Sequence, residues 1–414
     1  MKAKSIILLG LFSFALASSF VSCGGVGSKT DGEQKEKKTK VTNNSGSEEC
    51  SDISKMIIYI DASGSVKGYF SNGSDGKFGN AITYLAQYKG LNSPVYFWGK
   101  NTKETKVSTS VNAAGGVNAA LRAKSAYGQD SYFNEMFKQM VNLIKTDSVD
   151  AACLVTDGIY GVGNDLTRKD IEHAKKTLPD FMGEVKNAFT GTNLAVGIFK
   201  LSSTFSATSA TDAYITYQNK PIYPITIENR PFYVIVIGKP GKVNSFAKDN
   251  ELGAELSLVM GGHNINMHNS CRLSDPKHFR NDGSWKGNRS DSETNLSVLF
   301  PQCIGNDEYI KNNITVTLNG KRIENYNVSK SRLTITEEIE TNAIVKPGRE
   351  SEFNVVVDNT IPLEWRNLFN EDDKNIKTDA SLQSKTFGLK YLLEGILKGT
   401  SPDTLVNISF KFKK

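Results

Sequence analysis

Short apolar runs alternate along the chain with segments whose apolar residues recur every three or four positions, and this alternation sets the expected fold. Met56–Ile60, Pro94–Trp98, Ala151–Val155, Leu194–Phe199 and Pro231–Ile237 are apolar stretches of strand length. Between them, Phe78–Tyr88, the Ala-rich Asn112–Arg122, Tyr132–Ile144 and Lys169–Ala188 fit helices, the last with a kink at Pro179. Tyr132–Ile144 gives the clearest stripe, with Phe133, Met136, Phe137, Met140, Val141 and Ile144 on one face. Strand and helix alternating at this pace predict an α/β fold with a doubly wound, mostly parallel sheet. Ser202–Arg230 breaks the rhythm with short β-prone pieces, Tyr214–Tyr217 and Tyr223–Ile227, and reads as an inserted hairpin or edge extension.

The texture changes after about Gly262. His263–Glu293 is polar and irregular. Short strand-like runs follow at Leu296–Phe300, Ile314–Leu318, Leu333–Thr336, Glu352–Val357 and Leu405–Phe412, with Asn319-Gly320 as a turn signal and one helix near Phe387–Leu397. The expected organisation is an α/β domain over residues 53–262 and a β-rich C-terminal domain over 263–414.

Residues 1–22 read as a signal peptide: Lys2 and Lys4 precede an apolar stretch, Ile6–Phe20, too short to span a bilayer comfortably. It ends in Val21-Ser22-Cys23-Gly24-Gly25, which resembles the lipobox of bacterial lipoproteins, with Phe20 where that motif usually carries Leu. The resemblance implies cleavage before Cys23, lipidation of its thiol and a lipid-anchored place in the bacterial cell envelope, periplasmic or surface-exposed. The alternative is cleavage after Ala15-Leu16-Ala17 and a soluble secreted protein. Residues 23–52 are rich in Gly, Ser, Thr, Lys, Glu and Asn and read as a flexible tether. Lys35–Lys40 is a small basic run that suits a solvated linker or a touch on anionic headgroups.

Charge narrows the partners. The net charge is +6, two of it from Lys2 and Lys4, and the basic residues are dispersed with no stripe interleaved with aromatics. Nothing here points to nucleic acid.

The candidate chemistry sits at strand ends. Asp61-Ala62-Ser63-Gly64-Ser65 follows Met56–Ile60 directly, and Thr156-Asp157-Gly158 follows Ala151–Val155. The carboxyl ends of strands in an open α/β sheet are where ligands bind. A carboxylate and two hydroxyls at alternate positions offer hard oxygens, which suit Mg²⁺ better than Zn²⁺. Tyr127–Ser131, just before the amphipathic helix, brings a third loop to the same edge, with Ser131 the candidate hydroxyl and Asp130 its rival.

At these residues the chain resembles the von Willebrand factor A domain, over roughly Ile53–Gly262. The metal-ion-dependent adhesion site of that family uses Asp-x-Ser-x-Ser in one loop, Thr in a second and Asp in a third. Asp61, Ser63 and Ser65 match the first element and Asp157 the last, while the middle element has no Gly-x-Thr. The resemblance implies a Rossmann-like fold and a site in which Ser63, Ser65 and Ser131 bind Mg²⁺ directly, with Mn²⁺ or Ca²⁺ as substitutes. Asp61 and Asp157 would act largely through water, leaving a position open for a carboxylate of a protein partner. The expected function is therefore a membrane-tethered extracytoplasmic binding protein. The alternatives are a metal-dependent hydrolase using the same carboxylates, for which no general base is evident, and a structural component of an envelope complex.

Other reactive residues form weaker patterns. His263, His268, Cys271 and His278 lie close together but match no common zinc spacing, so a polar loop competes with a zinc site. Cys153, inside an apolar run, reads as a core thiol. In an oxidising compartment Cys271–Cys303 is the expected disulfide, with Cys50 left odd.

Overall fold

The computed structural model describes residues 52–61, 63–71, 73–98, 104–107, 131, 133–160, 171–210, 212–216, 220–261, 272–273, 297–299, 307–330, 332–335, 351–401 and 404–412. Its centre is a seven-stranded sheet built from β1 (Met56–Asp61), β2 (Val95–Trp98), β3 (Glu104–Val107), β4 (Ala151–Thr156), β5 (Ala195–Ala207), β8 (Ile225–Gly238) and β9 (Leu256–Gly261), in the order β3-β2-β1-β4-β8-β5-β9. The minor strands β6 (Tyr214–Ile215) and β7 (Pro221–Ile222) form a small ribbon between β5 and β8. The fold is mixed α/β.

The expectation of a mostly parallel sheet is corrected. Parallel pairing is confined to β2-β1-β4, and every other pairing in the sheet is antiparallel. The cause is local. β5 and β8 are joined through the stretch that broke the sequence rhythm, with no crossover helix among its described residues. A strand that turns back on its neighbour must run antiparallel to it. That hairpin is long: its register runs from Ala195↔Gly238 to Ala207↔Ile225, well past the end of β4. The apolar runs Leu194–Phe199 and Pro231–Ile237 are thus only the beginning of β5 and the C-terminal half of β8.

Helices cover both faces of the sheet. Met56, Ile58 and Ile60 point to one side, where α1 (Lys77–Ala86) and α4 (Pro240–Lys248) pack through Phe78, Ile82, Leu85 and Phe246. Ile57 and Tyr59 point to the other, against α2 (Phe133–Lys145) and α3 (Ile171–Phe189). All six apolar positions of the α2 stripe are buried. Each such side chain contributes about 1.5–3 kcal/mol relative to exposure. Pro179 lies within α3, and the helix continues beyond it. The helix expected over Asn112–Arg122 lies outside the described residues.

The C-terminal region divides its loyalties. Two four-stranded antiparallel sheets pair β10 (Arg272–Leu273), β11 (Ser297–Leu299), β15 (Arg332–Ile335) and β14 (Tyr326–Ser329), and β13 (Lys321–Arg322), β12 (Ile314–Leu318), β16 (Ser351–Asp358) and β19 (Thr404–Phe412). They enclose their own core around Val298, Val316, Leu333, Phe353 and Val355. The segment between β16 and β19 belongs elsewhere. Ile361, Trp365, Phe387 and the helix α5 (Leu389–Thr400) bury their apolar side chains in the core of the seven-stranded sheet, with α2 and α3. α5 reaches α3 so closely because of two glycines one helical turn apart. A Cβ at Gly395 would stand 2.8 Å from the Met182 carbonyl oxygen, and one at Gly399 2.6 Å from that of Lys186. Among the described residues, no helix is long and apolar enough to cross a membrane.

Candidate metal centre

The carboxyl ends of β1 and β4 lie side by side, since the two strands are parallel neighbours in register from Met56↔Ala151 to Ile60↔Val155. Asp61 and Thr156 therefore follow on the same face, because residues in register on paired strands point the same way. Beyond Asp61 the backbone tightens into a 3₁₀ turn over Gly64–Tyr69, which carries Ser65 back beside the strand end. The extended β5–β8 hairpin holds this turn in place. Ser71 Oγ donates to the Ser206 carbonyl, and a Cβ at Gly68 would meet the Phe205 ring. Ser131 stands just ahead of α2, whose buried stripe fixes where that loop ends.

The structure brings Asp61, Ser63, Ser65, Ser131 and Asp157 together, and all five are buried. Asp61 Oδ1 accepts from the Ser63 backbone N–H at 3.1 Å. Its Oδ2 accepts from Ser131 Oγ at 2.7 Å, Thr156 Oγ1 at 2.9 Å and Ser63 Oγ at 3.3 Å. Ser63 Oγ also lies 3.0 Å from Ser65 Oγ. Asp157 Oδ1 accepts from the Ile159 N–H at 3.1 Å, while Oδ2 is buried with no hydrogen-bond partner. The loop that carries Asp157 turns through Gly158 at φ +72°, where a Cβ would lie 2.8 Å from the Tyr233 ring.

Burial dominates the electrostatics. It pushes the Asp61 carboxyl up to about 7, helped by the charge of Asp157 and opposed by hydrogen bonds from Ser131, Thr156 and Ser63. Burial also raises Asp157, against the pull of the Ser65 hydroxyl, the Ile159 N–H and the charge of Arg230. Ser65 is near enough to lower that pKa, yet its hydroxyl makes no bond of good geometry to Oδ2. Two desolvated carboxylates of like charge are costly to keep ionised, and a cation between them reverses that cost.

The donor set fits a hard cation. A hydroxyl that donates its proton to Asp61 turns its lone pairs outward, available to a metal. Among the described residues no three His, Cys, Asp or Glu side chains gather as a metal-ligating group. A cation here would instead rest on two carboxylates and hydroxyl oxygens, a set suited to Mg²⁺ rather than Zn²⁺.

Sequence reading passed over two residues. Thr156 lies inside the Thr-Asp-Gly motif without an assigned role, yet it bonds Asp61 and its Oγ1 also accepts from the Gly158 N–H at 3.0 Å. Arg230 opens the apolar run of β8, and the one signal for it was a lone arginine where a buried strand begins. Cys153 is buried in β4 with its thiol pushed up by desolvation, as a core thiol should be. Asp130, Cys23, Cys50, Cys271, Cys303, His263, His268 and His278 lie outside the described residues. No protein-family model, curated protein or solved structure matches this chain.

Proposed function

We propose that this chain is a lipid-anchored binding protein of the bacterial cell envelope, related to the von Willebrand factor A domain, that recognises a protein partner through a Mg²⁺-centred site. The observation that carries the reading is the buried cluster of Asp61, Ser63, Ser65, Ser131 and Asp157, with Asp157 Oδ2 lacking any partner. An unsatisfied buried carboxylate oxygen is costly, and a native fold retains one where an ion or ligand completes it. Bound there, Mg²⁺ would supply a hard positive centre able to take a carboxylate from outside. The chain's own residues do the rest. Ser63, Ser131 and Thr156 hold Asp61 in one orientation, and the hairpin behind Gly68 and Ser71 keeps the serine loop from spreading. In the sequence no general base is evident for the alternative, a metal-dependent hydrolase. The anchor at Cys23 rests on the lipobox-like sequence alone.

The test is Mg²⁺-dependent capture from envelope extract, paired with direct Mn²⁺ titration of the purified protein. Capture should be released by EDTA and lost in Asp61→Asn together with Mn²⁺ binding. Capture that ignores both EDTA and Asp61→Asn would overturn the reading.

A further inference from the structure

Among the described residues four charged side chains are fully buried: Asp61, Asp157, Asp373 and Arg230. Three are acids and one is a base. Arg230 Nη1 donates to the carbonyl oxygens of Gln383 at 2.9 Å and Lys385 at 2.7 Å. Its Nη2 donates to Tyr214 Oη at 3.2 Å, and that hydroxyl donates onward to Asp373 Oδ2 at 2.8 Å. The guanidinium also lies over the Tyr214 ring, 5.1 Å from its centre. No carboxylate among the described residues stands within ion-pair distance of it. The candidate metal centre lies near the same stretch of β8. β4 and β8 pair Thr156 with Tyr233, which sets the Asp157 loop beside the start of β8. Tyr69, at the end of the turn that carries Ser65, donates to the Pro231 carbonyl at 2.6 Å and bridges the two.

We infer that Arg230 and Asp373 form a charge-setting pair for the Asp61–Asp157 site, Arg230 weakening its hold on a divalent cation and Asp373, through Tyr214, restraining Arg230. The inference rests on the metal reading above and adds two positioning residues to it. The coupling is Coulombic. A divalent cation at the carboxylates is attracted by two negative charges and repelled by a fixed guanidinium that cannot be deprotonated or hydrated away. In a desolvated interior such a repulsion is only weakly screened. Asp373 has the opposite sign and is tied to Arg230 through Tyr214, so its loss removes a negative charge that offsets the guanidinium. Neutralising one or the other should therefore move metal affinity in opposite directions. A scaffold role would not do this. Both substitutions break the same buried hydrogen-bond chain and both should cost stability.

The experiment is Mn²⁺ titration of the full mature chain at pH 8, where proton competition is least, with melting curves recorded alongside. Arg230→Gln should bind Mn²⁺ about tenfold tighter than wild type and Asp373→Asn about tenfold more weakly, as expected for a unit charge at close range in a buried site. Arg230→Lys, which keeps the charge, should stay within about twofold of wild type. Affinities that move in the same direction, or that do not move while the melting points fall, overturn the inference and leave the metal site standing. If Arg230→Gln does not fold, Asp373→Asn and Arg230→Lys still decide: equal affinity in wild type and Asp373→Asn overturns it. A wild type that binds no Mn²⁺ overturns the metal reading and this inference together.

Discussion

Raising the pH should destabilise the metal-free protein, and Asp61 sets the size of the effect. Its carboxyl sits at about 7 in the fold against an ordinary aspartate value of 3.8. At 1.36 kcal/mol per pH unit, that gap is worth on the order of 4 kcal/mol. The sign follows from proton counting. Between these two values the native state holds a proton that the unfolded chain has released, so stability falls as pH rises. The contribution is fully present below about pH 4, declines through pH 5 and 6, and is spent above about pH 7. The carboxylates whose values are lowered by hydrogen bonds, such as Asp75 and Asp150, change below that window and do not oppose it. The comparison is wild type against Asp61→Asn, unfolded thermally at pH 5, 6, 7 and 8, in EDTA and in millimolar Mg²⁺. Wild type in EDTA should lose about 5 °C of melting temperature across the series, because about 2.7 kcal/mol of the contribution is left at pH 5 and each kcal/mol is worth about 2 °C. Mg²⁺ should restore most of it at pH 8, since a ligand present at a hundred times its Kd contributes about 2.7 kcal/mol. It should do little at pH 5, where the carboxyl is protonated. Asp61→Asn should be flatter with pH and indifferent to Mg²⁺. Parallel pH profiles in the two proteins, or equal rescue by Mg²⁺, would refute the reasoning.

Three further outcomes are expected. Ser131→Ala should weaken Mn²⁺ affinity by removing a lone-pair donor and the 2.7 Å bond that orients Asp61, and Asp130→Ala should weaken it less; the reverse order in a Mn²⁺ titration would give the middle position to Asp130. Gly395→Val should cost about 1–3 kcal/mol in urea unfolding, because a side chain there is driven into the Met182 carbonyl 2.8 Å away; an unchanged midpoint would mean that α5 does not pack on α3 this closely. Wild type should fractionate with membranes and Cys23→Ala should not, since several acyl chains hold firmly where one does not; a wild type already soluble would remove the anchor.

Local pattern was enough for most of the elements. Continuous apolar runs marked buried stretches of β1, β2, β4, β5 and β8, and the three-to-four spacing of Phe133 to Ile144 marked α2, because a side chain's face depends on backbone period alone. The motif residues Asp61, Ser63, Ser65 and Asp157 were legible for the same reason: each lies within five residues of the end of an apolar run. Strand direction was not legible. Whether β8 runs with or against β4 depends on which edge the β5–β8 hairpin joins, and apolar runs carry no sign of direction. Nor could the sequence say that α5, surrounded by strand-like runs, packs on α3 and leaves the small β-sandwich. That choice belongs to Gly395 and Gly399, whose missing side chains mean something only opposite the Met182 and Lys186 carbonyls. Arg230 and Asp373 are far apart in the chain and meet only through Tyr214. Burial of a charge is a property of everything folded around it, so the pKa values of Asp61 and Asp157, and the counter-charge beside them, were decided by the tertiary structure alone.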